Sequence, residues 1–369
     1  MMHVVESGLI FQGTESDRNN NVSFCGLTVL PNGTLLAGAR LASAKDSPDG
    51  NIGIWISNDA GKTWFGPNLP FQTEWEEKRG CLRAGNITPI TDEHWMMALL
   101  WVDRRVTGRP MYNSATGGLC EMFPVLSETH DAGKSWTPLR RLAPSPGQLP
   151  TALCGPILQL EDGTLACPLE IQKEYDDPGP IFNHSVLLLS HDGGNTWPER
   201  VLVAGEPLED RVYWDQRIAM LGNGNLINTF WTYHTKQEHD MNVHVSFSHD
   251  NARTWSRPVD TGIIGQIAEP VVIHSRHIIL LYVRRDREQR LMARESHDSG
   301  HSWDRDSEIC FYEHLAGKGH SSNLFNAMSE WSFGHPKGVK VSENELFAVF
   351  YAGEGQNTGL HYCRIRING

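Results

Sequence analysis

Five copies of one eight-residue pattern, S/T-x-D-x-G-x-S/T-W, run through this chain. They span Ser57 to Trp64, Thr129 to Trp136, Ser190 to Trp197, Ser248 to Trp255 and Ser296 to Trp303. A pattern that recurs about once per four-stranded unit marks a β-propeller. Each copy reads as a hairpin corner. The Asp and the Ser or Thr bond nearby backbone N–H groups, the Gly supplies a positive φ, and the Trp starts the next strand and packs inward. Packing, rather than calcium binding or catalysis, is the reading for the repeated Asp residues. Only the fourth copy departs from the pattern, with Ala252 at the Gly position.

Alternating and apolar runs separated by polar, Gly-containing turns fill the intervals. Blade one reads Leu27 to Leu30, a turn at Pro31-Asn32-Gly33, then Thr34 to Arg40 and Gly53 to Ser57. Four further units follow the same order. A sixth lacks the box and ends after three strands, Pro336 to Val341, Glu345 to Tyr351 and Leu360 to Ile367. The N-terminal run His3 to Phe11 supplies its missing outer strand and closes the ring, which removes an open sheet edge. The sequence therefore predicts an all-β, six-bladed propeller with residues 1–369 as one domain. Its longest irregular connection is 311 to 330.

Composition narrows the function classes. The formal charge of −12 argues against nonspecific nucleic-acid or anionic-membrane binding. No apolar run reaches 18 residues, so no helix is expected to span a membrane. The first residues lack a basic and an apolar region, which points to the cytoplasm. Seven Cys without CxxC spacing fit reduced, mostly buried thiols. Of 17 His, the four at the variable position just before a box Asp (His130, His191, His249, His297) read as solvated loop residues. No cofactor and no metal site is expected, and the oligomeric state is left open.

In a propeller the innermost strands surround the axis, and the ends of the first two strands of each blade collect at one mouth. That places Cys25, Arg40, Arg83, Asp103, Arg104, Arg105, Glu170, Asp215, Arg217, His234, Glu269, Arg284, Arg285, His335, Tyr351 and Glu354 around one opening. Such a charged set is either a functional site or a plug of salt bridges. The run Trp214-Asp215-Gln216-Arg217 is its sharpest element, because polar groups on a central strand are costly without polar contacts.

Five boxes in six blades resemble the sialidase superfamily, also called BNR-repeat proteins, over nearly the whole chain. The resemblance implies retaining exo-glycosidase chemistry. In that family three arginines hold the substrate carboxylate, an Asp on a loop after blade one is the acid/base, and a Tyr assisted by a Glu is the nucleophile. Position by position, the first B-strand Arg resembles Arg40, and the acid falls on Asp46, or less well on Asp49. The Glu falls on Asp215 and the Tyr on His335. The arginine triad is not matched. Phe24-Cys25-Gly26 replaces one Arg segment, Trp231 to His234 another, and no Arg occurs between Arg305 and Arg364.

The leading expectation is an exo-acting glycoside hydrolase on an acidic or unusual sugar. Asp46 or Glu269 would be its general acid and Asp215 its base. Arg40, Arg104, Glu170, Arg217, His234, Arg284 and Tyr351 would bind substrate, since guanidinium forks suit planar anions. The alternatives are a lyase on uronate-containing glycans, with His335, His234 or Tyr351 moving the proton, and a noncatalytic glycan-binding propeller that stacks sugars on Trp101, Trp231 and Tyr233.

Overall fold

The structure, a computed structural model, describes residues 2–142, 149–205, 210–286, 288–315 and 322–368. Six antiparallel sheets follow one another along the chain, each the blade of a propeller. Blade one is Asn21–Val29, Leu35–Ala42, Asn51–Ser57 and Phe65–Asn68. Blade six is Phe333–Ser342, Glu345–Glu354 and Asn357–Ile367, completed by the N-terminal strand Met2–Gln12. That last pairing runs from Met2 opposite Ile367 to Gln12 opposite Gly359. The predicted ring closure is therefore present.

The boxes are hydrogen-bonded corners. Ser57 Oγ accepts the Gly61 N–H at 2.8 Å and donates to Asp59 at 2.9 Å. Asp59 accepts the Thr63 N–H at 2.9 Å and its hydroxyl at 2.6 Å. The other four Asp residues take the equivalent hydroxyl at 2.5 to 2.7 Å. These carboxylates are committed to their turns. Bonds from the Thr63 hydroxyl and N–H hold Asp59 down to about 2.

Between blades the apolar faces stack. The largest cluster joins blades four, five and six through Trp214, Trp231, Leu281, Phe333 and Phe350. Each such side chain fully buried contributes about 1.5–3 kcal/mol. The connection expected to be irregular is partly regular. The outer strand of blade five runs to Glu313, and a short helix, Leu324–Glu330, is capped by the Asn323 side chain, which accepts the Asn326 N–H. The helix presents Ala327 and Met328 to the large cluster, which is why this stretch orders. Residues 316–321 of that connection lie outside the described residues.

One irregularity repeats around the axis. In five blades the innermost strand carries one extra residue relative to its neighbour, a β-bulge. The register shifts fall between Ser23 and Gly26, Leu82 and Gly85, Trp214 and Arg217, Gln266 and Glu269, and Gly334 and Lys337. In blade three the innermost strand is broken outright, into Thr151–Leu153 and Leu158–Gln159. Strand one of blade one thus begins at Asn21, not Leu27. A bulge interrupts the period-two pattern, so in the sequence the strand seems to start after it.

Candidate active site

The first bulge residue of each of the five blades, Phe24, Arg83, Asp215, Ile267 and His335, lines a single axial cavity of about 110 Å³. Phe24, Asp215, Ile267 and His335 have φ between 42° and 53°. Non-glycine residues rarely adopt this region, and doing so costs about 1–3 kcal/mol each. A single water needs about 10–15 Å³ of such space, so there is room for one sugar-sized group rather than a chain of them. Lys45, Tyr112, Cys154, Glu170, Arg217, Trp331 and Lys337 complete the polar wall.

Two carboxyl groups face this space. Asp215 is held by the Arg217 guanidinium at 3.2 Å. Glu170 is 4 % exposed and accepts the Gln216 N–H at 3.3 Å and the Gln172 amide at 3.1 Å. Burial, reinforced by the negative charge of Asp215, pushes Glu170 up to about 8. Glu170 is therefore a protonated acid at neutral pH, beside a second carboxyl group in the same cavity.

The residue that ends each bulge forms a second layer. Arg217, Glu269 and Lys337 come from blades four, five and six. Glu269 lies 3.5 Å from Arg217 and 2.6 Å from Lys337, so the three link their blades by charge. In blades one and two the same position is Gly26 and Gly85. A Cβ on Gly26 would sit 2.8 Å from the Gly85 carbonyl, so the backbones approach where the other blades carry charge. Burial, opposed by the Glu269 charge, lowers Lys337 to about 8.

His335 is half-buried in the cavity wall. Its Nδ1 lies 3.4 Å from Arg217, and its ring meets Phe24 edge-on at 4.8 Å. Burial first, then Arg217 and Lys45, hold it well below the usual histidine range, so it is neutral. Lys45 donates to Tyr351 Oη at 2.7 Å and to the Trp331 carbonyl at 2.9 Å. Burial, with the charges of Arg285 and Arg83, lowers its pKa strongly. Arg83 stacks over Phe24 at 4.3 Å.

The residues expected at the mouth divide in two. Glu170, Asp215, Arg217 and His335 line the cavity together, as do Cys25 and Arg83. Asp46 lies just behind. Arg104 reaches it at 2.5 Å, Arg83 at 3.5 Å and the Met111 N–H at 2.7 Å. Burial raises the pKa of Asp46, but these donors outweigh it and hold the group below its ordinary value. It is thus a bound carboxylate. Asp49 is tied to Ser43 and Ser47 on the same loop.

Arg40 does not reach the cavity. It is wholly buried and donates to the Ala44 and Ser47 carbonyls at 2.8 and 2.7 Å, clamping the 43–49 loop. Arg104 bonds Asp46, Cys81 and the Arg109 carbonyl. Arg284 pairs with Asp286 and Glu288, and His234 stacks on His239. Tyr351 stands behind Lys45. Of the aromatics expected to hold sugars, Trp101 stacks on Phe123 within the core and Tyr233 on Trp214. Trp231 reaches the cavity, with its indole N–H bonded to Asp240 at 2.7 Å.

Lys45, Tyr112, Trp331 and Lys337 were not anticipated as site residues. Lys337 lies in a strand recognised in the sequence, but the bulge turns it inward. All seven Cys are free thiols, and only Cys310 is exposed. No helix among the described residues is long and apolar enough to cross a membrane.

No protein-family model and no curated protein matches the sequence. Solved structures do match. A Dyadobacter fermentans protein of unknown function superposes with a TM-score of 0.77 at 16% identity, over 100% of this chain and 99% of its own. The Hadza microbial sialidase Hz136 gives 0.71 at 13% identity, over 97% and 68%. The intramolecular trans-sialidase from Ruminococcus gnavus, in complex with oseltamivir carboxylate, gives 0.69 at 14% identity, over 99% and 98%. Likeness at these identities speaks for the fold, and by its fold this chain is a six-bladed β-propeller like these solved structures.

Proposed function

We propose that the protein is a carbohydrate-active enzyme that removes a terminal sugar carrying an anionic group. The axial cavity is its active site. One observation carries the reading: a buried Glu170, protonated at neutral pH, shares the cavity with Asp215. Glycoside hydrolysis needs such a pair. Glu170 gives its proton to the glycosidic oxygen as the C–O bond breaks. Asp215 either activates a water or attacks the anomeric carbon. Arg83 and Arg217 on the same wall favour a substrate with a carboxylate or similar anion. The volume favours exo action.

The test is a product assay on sialosides, uronate-containing oligosaccharides and aryl glycosides, read by mass and ultraviolet absorbance. Hydrolysis adds one water. Glu170→Gln and Asp215→Asn should each lower kcat at least 100-fold on a glycoside with a poor leaving group. Wild-type rates in either variant would remove that residue from the mechanism.

His335 supports a second reading. A neutral imidazole on the cavity wall can take a proton from carbon, with the C6 carboxylate of a uronate held by an Arg. Elimination then breaks the C4–O bond and leaves an unsaturated uronate, with no water added. Products that absorb in the ultraviolet, lost in His335→Ala, would favour it.

A further inference from the structure

Away from the axial cavity, the box corners of two blades build the same three-residue cluster. In blade five, Ile278 pairs with Ser296 and Ile279 with Glu295. One step further along this ladder His277 stands opposite His297. Side chains alternate along a strand, so His277, His297 and Glu295 share one face. In blade two, Trp95 pairs with Thr129 and Met96 with Glu128. His94, His130 and Glu128 therefore share the equivalent face. In each cluster one donor atom per residue lies within 4.8 Å of the others. Blades three and four place a box histidine at the same spot, His191 and His249. There the carboxylate position holds Leu189 or Phe247, and the residue opposite is Thr164 or Asn225. Those histidines bond Thr164 and Asn225 instead, at 3.2 and 2.6 Å.

The two clusters differ in how free their donors are. In blade two, Arg140 binds Glu128 at 3.0 Å and His94 binds it at 3.1 Å. In blade five, Glu295 is 5 % exposed and His277 is 8 % exposed. The Nε2 of His277 is buried without a hydrogen bond of good geometry. It points at Glu295 Oε1 from 3.5 Å, and the Nε2 of His297 lies 3.7 Å from Glu295 Oε2. The two imidazole rings pack at 4.5 Å between centroids. Two nitrogens bound to one ion with Zn–N distances of about 2.0–2.1 Å sit roughly 3.4 Å apart in tetrahedral geometry. In the cluster the corresponding donor atoms lie within 4.8 Å of one another.

We propose that His277, Glu295 and His297 form a binding site for a divalent transition metal, with Zn²⁺ the best fit. Two imidazoles and one carboxylate suit zinc. The fourth position faces solvent, because His297 is exposed. The ion would tie the start of the second strand of blade five to the end of its third, at the box. Its role is a staple of the corner, independent of chemistry at the axis.

The test uses tag-free protein freed of metal by chelator, titrated with ZnCl₂ by calorimetry. Thermal melts with Zn²⁺, Ca²⁺ and Mg²⁺ accompany it. One strong equivalent per chain is expected, with a rise in Tm for Zn²⁺ alone. His297→Ala changes an exposed residue, so its metal-free Tm should match wild type. It should weaken the strong equivalent at least tenfold, since even partners beyond the metal ligands are worth 10- to 100-fold. His130→Ala should leave that equivalent unchanged. The absence of a strong equivalent, or one that survives His297→Ala and is lost in His130→Ala, would overturn the assignment.

Discussion

Lys337 donates to Glu269 at 2.6 Å, and Arg217 approaches the same carboxylate at 3.5 Å. The acid that blade five brings toward the axis is thus engaged by two cations from flanking blades. Such pairing fits a structural link, whereas the sequence suggested a general acid. Glu269→Gln should destabilise by about 3 kcal/mol, because breaking a buried pair strands a charge. It should leave kcat within a few-fold of wild type. Urea denaturation and steady-state kinetics on the same samples separate the two effects. A fully stable Glu269→Gln protein with no activity would return Glu269 to the chemistry.

Glu170 should set the alkaline limb of the activity profile. Its ordinary value of 4.5 is raised to about 8 in the folded chain. Between those values the native state holds a proton that the unfolded state has released. Stability from this group is therefore fully present below about 4.5 and falls as pH rises toward 8. Acid catalysis is lost over the upper end of the same range, so kcat/KM should decline above about pH 8. Lys337 also titrates near 8, so a control is needed. In Lys337→Met the limb should persist, while Glu170→Gln should flatten it. A limb that vanishes in Lys337→Met and remains in Glu170→Gln would contradict the assignment.

The boxes were legible because the bonds that shape each corner are local. Ser57, Asp59, Gly61 and Thr63 meet across four residues or fewer. The blade order and ring closure followed from them. The meeting of Asp215, Glu170, Arg217 and His335 at one cavity was also legible, because a propeller forces the ends of its inner strands together. The bulges were not legible. They depend on how one strand registers with the next, which leaves no fixed sequence mark. Lys337 was hidden for that reason. Lys45 was hidden because its inward turn depends on tertiary contacts of its loop, the Arg40 clamp among them. Arg40 itself was misplaced, since a chain position at the end of an inner strand does not say which way a long side chain folds.

Arg40 gives a direct test of that clamp. Its Nη atoms hold the Ala44 and Ser47 carbonyls, and the same loop carries Lys45 and Asp46. Arg40→Lys keeps the charge but can serve only part of that fork geometry. It should cost about 1–3 kcal/mol, the penalty for leaving a buried acceptor unpaired. It should also raise KM more than it lowers kcat, because Lys45 on the cavity wall is no longer fixed. An unchanged KM in a destabilised Arg40→Lys protein would mean that the loop keeps its shape without the clamp.

The fourth box supplies a natural comparison for the corner turn. Ala252 has φ +65° and is fully buried where the other boxes have Gly. A left-handed Ala is strained by about 1–2 kcal/mol. Ala252→Gly removes that strain but gives up a buried methyl worth about 0.8 kcal/mol. It also loosens the unfolded chain by about 0.4–1 kcal/mol. The sum is near zero, so the denaturation midpoint should barely move. Gly300 in the fifth box is different. Its φ is +89°, and a Cβ there would lie 2.3 Å from Ile227 Cδ1. Gly300→Ala combines the left-handed strain with overpacking and should cost about 2–4 kcal/mol. The fourth box has room for its methyl, whereas at the fifth box Ile227 of blade four fills the equivalent space. Equal midpoints for the two variants would mean that packing around the box does not set the choice of residue there.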